Sequence, residues 1–171
     1  MATLPTVGGS NNTWGTELNA YLQIEHNTDG THKQSTFSAH KNAVDQTGIA
    51  TATSTKVTFE TEDWDTNNNF ASSRFTPSIA GKYHLIASVY YATSVVDTMY
   101  VNIYIYKNGA LWKGQNNRAS GALDLTSFMD VIVDANGTTD YFEVYTYHNA
   151  GTDRTIRGDV YYTYFQGYKI N

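Results

Sequence analysis

The sequence contains no cysteine, which excludes disulfides, thiol nucleophiles and cysteine-ligated zinc together. Charge is scarce as well. Asp, Glu, Lys and Arg make up 16% of the chain, against about a quarter in ordinary globular domains. Acidic residues outnumber basic ones 16 to 11, for a net charge of −5. No run of Lys or Arg occurs, and phosphate neutralisation needs clustered cations, so nucleic acid and anionic membrane surfaces are not expected as partners. No stretch approaches the roughly 20 apolar residues of a membrane-spanning helix, so membrane insertion is not expected either. Met1 to Gly9 lacks the basic start and apolar core of a signal peptide. A role outside a cell therefore implies release by lysis or within a particle. Without disulfides, such a protein must draw stability from another source, of which oligomerisation is one.

What remains is rich in Thr, Asn, Ser, Gly and Tyr, in a chain of 171 residues and 19.0 kDa. That length suits one domain with a short appendage. Residues 1–33 read as the appendage. A linker, Leu4-Pro5-Thr6-Val7-Gly8-Gly9-Ser10-Asn11-Asn12, leads to Thr13 as an N-cap. Trp14, Leu18, Tyr21 and Leu22 follow at i, i+4, i+7 and i+8, one apolar helical stripe. A helix this short is marginal alone, so the stripe is a candidate docking or packing surface. Asn27-Thr28-Asp29-Gly30 ends it.

From residue 34 to 171 the period changes to two, with short Val-, Ile-, Thr-, Tyr- and Phe-rich runs between turn signals, as in sandwiches and barrels. Strands are predicted near 35–40, 46–51, 54–61, 70–76, 82–92, 97–107, 110–117, 122–134, 139–149 and 155–169. Asn108-Gly109 and Asn136-Gly137 are hairpin signals. Alternation assigns faces: Met99, Val101, Ile103 and Ile105 oppose Tyr100, Asn102, Tyr104 and Tyr106. Likewise Tyr83, Leu85, Ala87, Val89 and Tyr91 oppose His84, Ile86, Ser88 and Tyr90, and Tyr162, Tyr164 and Tyr168 oppose Tyr161, Thr163, Phe165 and Gly167. The aliphatic face reads as core. The tyrosine face is too apolar to be merely solvated, and its hydroxyls suit a surface that is partly wet, so it reads as an interface. Trp112 reads as a core residue at a strand start.

Phe59, Asp65, Phe70, Phe75 and Gly81-Lys82-Tyr83-His84-Leu85 arrive in an order that resembles the signature of the C1q/TNF-like domain. Phe37-Ser38-Ala39, Lys107-Asn108-Gly109 and Tyr164-Phe165-Gln166-Gly167-Tyr168 resemble its first strand, central hairpin and last strand. The gap from Phe70 to Phe75 is two residues short of the pattern, and Leu85 replaces its final Phe. The resemblance implies an all-β, ten-stranded jelly roll, a homotrimer, and aromatic residues at the threefold axis. On that basis Tyr100, Tyr104, Tyr106, Tyr162 and Tyr164 are the expected trimer interface. Residues 1–33, with Leu4-Pro5-x-Val7-Gly8-Gly9, Asn12-x-Trp14-Gly15 and His26-Asn27-x-Asp29-Gly30-Thr31-His32, are similar to modules of phage tail-fibre and other virion appendage proteins.

Asp63-Trp64-Asp65-Thr66-Asn67-Asn68-Asn69 places oxygens at alternate positions, as a calcium loop does, but Asn68 stands where an EF-hand needs Gly and Arg74 where it needs Glu. An Asx-rich turn is the preferred reading. Asp63 and Asp65 are candidate ligands for a structural calcium ion, and no other cofactor is expected. Trp64, Asn67, Asn68 and Asn69 form a candidate ligand loop, because aromatic platforms with amides suit carbohydrate. The five histidines, His26, His32, His40, His84 and His148, show no close ligand spacing and read as hydrogen-bonded. No Gly-x-Ser-x-Gly or P-loop occurs, so no enzyme is expected. The reading reached is a non-enzymatic homotrimeric phage virion protein, either a tail-fibre or receptor-binding module contacting a host-surface glycan or protein, or a head fibre or capsid decoration protein. Residues 1–33 would bind other virion proteins. A cellular carbohydrate-binding or cytokine-like module is the alternative from another class.

Overall fold

Alternating side chains build the core. In the eleven-residue strand Gly81–Tyr91, Tyr83, Leu85, Ala87, Val89 and Tyr91 are all fully buried, and they share one core with Val101, Ile103 and Ile105 of a second sheet and with Met99 just before it. Burying each large apolar side chain contributes about 1.5–3 kcal/mol. The structure, a computed structural model, describes residues 13–23, 26, 34–91, 96–121 and 124–170. The chain divides into two compact units, Met1–Gln34 and Ser35–Asn171.

In the first unit, α1 spans Trp14–Leu22, with Thr13 at the N-cap position. The Thr13 hydroxyl donates to Glu17 Oε1 at 2.7 Å rather than capping a backbone N–H. The expected linker, the Asn27–Gly30 stop and His32 lie outside the described residues.

Among its described residues the second unit contains thirteen strands: β1 (Thr36–His40), β2 (Gln46–Ile49), β3 (Thr55–Lys56), β4 (Thr61–Asp65), β5 (Phe70–Ala71), β6 (Arg74–Phe75), β7 (Gly81–Tyr91), β8 (Tyr100–Lys107), β9 (Ala110–Arg118), β10 (Leu125–Ala135), β11 (Phe142–His148), β12 (Arg154–Ile156) and β13 (Tyr164–Lys169). They form an all-β sandwich. One sheet runs β10-β7-β13-β1-β4; the other runs β5-β6-β11-β8-β9, with β3 added beside β11. Each continuous path has five strands, and β2 and β12 form a separate pair. Every pairing is antiparallel.

The inside–outside parity expected for these strands holds over residues 82–91 and 97–107, except that Ser88 on the outer face is also buried. Asn108-Gly109 closes the β8–β9 hairpin with φ of 55° and 79°, the two positive values that a tight hairpin turn needs. Gly81 opens β7 at φ 145°.

Several expected elements differ. Residues 70–76 are two short strands broken by Ser72 and Ser73, both with left-handed φ. Residues 54–61 yield only β3, and β4 begins where that strand was expected to end. The run 155–169 is split into β12 and β13 because Asp159 folds a turn: its carbonyl accepts from the N–H of Tyr162 and Thr163, and its carboxylate from that of Tyr161. Asn136-Gly137 makes no two-residue hairpin, since β10 and β11 belong to different sheets. Instead the Asn136 side-chain oxygen accepts from the backbone N–H of Thr138, Thr139 and Asp140, and forms the crossing loop. Trp112 is not in the core. The register of β9 on β8 shifts between Ile105 and Tyr106, which leaves Trp112 unpaired in a bulge and 48% exposed.

Two of the buried ionisable groups, Lys41 and His148, are partnered inside this packing. Lys41 is 1% exposed and bonds Glu60 at 2.7 Å and Thr58 at 2.9 Å. Burial pushes the Glu60 carboxyl up, but the bonds from Lys41 and Thr58 and the Lys41 charge bring it below its ordinary value. His148 is fully buried. Its Nε2 donates to the Ile49 carbonyl at 2.8 Å, and its Nδ1 accepts from the Ala150 N–H at 3.3 Å. A second ring proton would oppose that N–H, and burial itself depresses the His148 pKa below 6.5.

The unfolded chain binds the His148 proton first, so this contribution is intact above about pH 6.5 and is lost as pH falls through the folded-state pKa. Urea unfolding between pH 7.5 and 5 is expected to show stability falling towards a limiting slope of about 1.4 kcal/mol per pH unit. His148→Gln is expected to flatten that segment; an unchanged slope in the variant would refute the assignment.

Candidate interaction surfaces

The outer face of the β10-β7-β13-β1-β4 sheet is aromatic across several strands. Register places Phe128, Ser88, Tyr164, His40 and Thr61 in one cross-strand row. Asp130, Ile86, Gln166, Ser38 and Trp64 form the next, and Ile132, His84, Tyr168 and Thr36 a third. Phe128 is 45% exposed, Ile132 60%, Tyr168 46% and Trp64 51%. The Tyr90 and Tyr162 rings lie 5.0 Å apart at the end of this face. Two His–Asp pairs are set among these residues: His40 with Asp63 at 3.2 Å, and His84 with Asp130 at 3.3 Å. His84 also reaches the Tyr168 hydroxyl at 3.1 Å.

The outer face of the other sheet carries a second set of tyrosines that largely cover one another. Tyr106 stacks on Tyr145 with centroids 4.0 Å apart. Asn102 Nδ2 donates to the Tyr104 hydroxyl at 2.6 Å. The Tyr104 ring lies over Gly114, where a Cβ would come within 2.5 Å of it. Arg118 sits over the Tyr100 ring at 5.4 Å. Burial raises the Tyr145 pKa, and the Glu143 charge adds to it.

The five residues expected to form one interface are therefore divided. Tyr100, Tyr104 and Tyr106 lie on β8, Tyr164 lies on β13 of the other sheet, and Tyr162 sits in the turn before it. Period-two parity separates inside from outside, but it carries no information about which sheet a strand joins. Phe128, Ile132 and Tyr145 were missed as surface residues. The signal for Phe128 and Ile132 is present in Leu125-Thr126-Ser127-Phe128-Met129-Asp130-Val131-Ile132-Val133, which has large apolar side chains on both parities.

The expected ligand loop also changes. Asp63, Trp64 and Asp65 belong to β4, and Asp63 stands at a register shift opposite β1. Asp63 accepts from Ser38 Oγ at 2.8 Å and faces His40. Asp65 accepts from the N–H of Asn67 at 3.3 Å and Phe70 at 2.6 Å, which is an Asx turn. The two carboxylates thus engage different partners, and among the described residues no group of three or more His, Asp or Glu converges as a metal site. Asn69 is buried and bonded to Ser35, while Asn67 and Asn68 stay exposed. On α1, Trp14, Tyr21 and Leu22 are exposed and Leu18 is half-buried.

A further polar cluster carries no sequence signal, because its members are 69 and 87 residues apart. Glu143 is buried on β11, and its Oε1 accepts from Lys56 Nζ at 2.7 Å and Arg74 Nε at 2.9 Å. Burial raises the Glu143 carboxyl, yet the hydrogen bonds and charges of the two cations bring it below its ordinary value. Arg74 lies 3.9 Å from the Tyr141 ring centroid.

The chain is similar in structure to the globular domain of zebrafish complement 1qA protein, at 16% identity over 80% of this chain and 98% of that one, with a TM-score of 0.55. Murine APRIL is similar at 10% identity over 81% of this chain and 100% of that one, TM-score 0.61. The Eiger TNF from S. frugiperda is similar at 13% identity over 81% and 93%, TM-score 0.53. The fold is therefore a C1q/TNF-like jelly roll. No protein-family model and no curated protein matches the sequence.

Glu143→Ala would leave two cations without their shared carboxylate. Both cations reach water, so the expected loss is about 1–2 kcal/mol rather than the 3–5 kcal/mol of a sealed pair. Urea unfolding at pH 7 checks it.

Proposed function

We propose that this chain is a non-enzymatic homotrimeric module of a phage virion, a tail-fibre or receptor-binding component that assembles through the outer face of its β10-β7-β13-β1-β4 sheet. The observation that carries the reading is the set of exposed Phe128, Ile132, Tyr168 and Trp64, with half-buried Tyr164, spread over three adjacent cross-strand rows of that face. Apolar patches of this kind mark interfaces. A second copy is the favoured occupant, because a low-charge chain without cysteine gains stability from association, and because the C1q/TNF-like resemblance implies three copies. The tyrosines of β8 are engaged within their own sheet, so self-association is assigned to the other face. The similarity of residues 1–33 to virion appendage modules supports attachment through Trp14, Leu18, Tyr21 and Leu22. Loops on the unassociated face are left to contact a host-surface glycan or protein.

Light scattering is expected to give about three times 19.0 kDa. Phe128→Glu with Ile132→Lys should yield monomers, while Tyr104→Glu should leave the mass unchanged; the opposite pattern would move the interface to the β8 face. Immunogold labelling of particles is expected to mark the tail tip. Label over the head would make the chain a decoration protein, and unlabelled particles would remove the virion role.

A further inference from the structure

We infer that the cavity beside β3 and β6 is a binding site for a carboxylate-bearing saccharide, a conclusion that deepens the receptor-binding reading above and rests on it. The cavity has a volume of about 500 Å³, and Lys56, Asn68, Ser72, Arg74 and Thr76 are among the residues that line it. That volume lies within the range of small-ligand sites. Its charged lining is two cations. The one carboxylate in ion-pair reach of either, among the described residues, is Glu143, whose side chain is 4% exposed against 29% for Lys56 and 44% for Arg74. Glu143 therefore lies beneath the cations and holds them, and the three groups together keep one net positive charge for an incoming anion.

The donors are arranged in advance. Lys56 Nζ is fixed by Glu143 and by the Ser72 carbonyl at 2.9 Å. Arg74 is fixed by its Nε bond to Glu143 and by stacking on Tyr141. Neither of its Nη groups has a hydrogen-bond partner among the described residues. A guanidinium held in this way presents its remaining N–H groups as a fork that fits a carboxylate bidentately. One net positive charge matches one carboxylate and under-compensates a doubly charged phosphate. The neutral lining, the Asn68 amide with the Ser72 and Thr76 hydroxyls, offers donors and acceptors of the kind that sugar hydroxyls engage. The loop that carries it is locally set: Asp65 caps the Phe70 N–H, and Asn68, Ser72 and Ser73 take φ of 52°, 52° and 57°.

Calorimetric titration of the full chain tests the site, with a tetrasaccharide of alternating glucuronate and N-acetylglucosamine as the probe and chitotetraose as its neutral counterpart. The glucuronate probe is expected to bind at least tenfold more tightly than chitotetraose. Arg74→Gln should abolish that preference, and Lys56→Gln should lower it severalfold. If Arg74→Gln does not fold, as judged by its melting curve, Lys56→Gln carries the test alone. Equal affinity for the two sugars overturns the site, as does a preference that survives the substitutions or sulfate that competes as strongly as the glucuronate probe. Light scattering on the same samples separates the readings: a trimer without uronate preference sinks the site alone, and a monomer that retains the preference sinks the assembly alone.

Discussion

Phe37 joins the two sheets of this protein. Its ring stacks 4.2 Å from Phe75 and 5.2 Å from Phe70, and meets Phe165 edge-on at 4.9 Å. Phe37 and Phe165 come from one sheet, Phe70 and Phe75 from the other. Such pairs contribute about 0.5–1.5 kcal/mol each beyond the area they bury. Phe59 and Tyr83 extend the cluster, with centroids 5.9 Å from Phe165 and 5.4 Å from Phe75. Gly167 makes room for it, since a Cβ there would lie 2.9 Å from the Phe37 ring and 2.7 Å from Leu85. A chain with no disulfide and two prolines has few other devices for fixing one sheet on another. The rest of the sandwich depends on this plug.

The same cluster explains what was legible in the sequence. Phe59, Phe70, Phe75 and Tyr83 are landmarks of the C1q/TNF-like resemblance and belong to this plug, and Gly81, another landmark, opens the strand that carries Tyr83. Asp65, the polar landmark, caps the turn that delivers Phe70. Inside–outside parity was legible wherever a strand is long, as in β7 and β8, because each second residue must enter the core. What was not legible depends on contacts remote in sequence or on single dihedrals. Sheet membership placed Tyr104 and Tyr164 on different outer faces. Ser72 and Ser73 broke a strand through left-handed φ that nothing in a Phe-Ala-Ser-Ser-Arg-Phe run announces. Trp112 was expelled by a register shift. The Glu143 cluster joins strands that only the topology brings together.

The two outer faces differ in how their tyrosines are engaged, and that difference organises the surface. On β8 and β11 the rings stack, take up the room left by Gly114 and bond to Asn102, so the face is largely self-covered. On β10, β13 and β4 the aromatic residues stand apart, with His–Asp pairs between them. A sheet face of that composition has apolar area to bury and a few polar groups that need partners when it does, as interface cores do.

In the proposed assembly the Lys56–Arg74 cavity would stay open, because β3, β5 and β6 belong to the other sheet. The buried carboxylate then acquires a reason. Apolar side chains in place of Glu143, Lys56 and Arg74 together would serve the fold about as well, since exchanging a whole buried ionic cluster for packed hydrophobic residues is often neutral or stabilising. Among the described residues, only Glu143 holds Lys56 and Arg74 side by side at the cavity wall. Glu143 thus acts as a positioning group: it holds two more exposed cations side by side, in a sheet that the proposed assembly would leave uncovered.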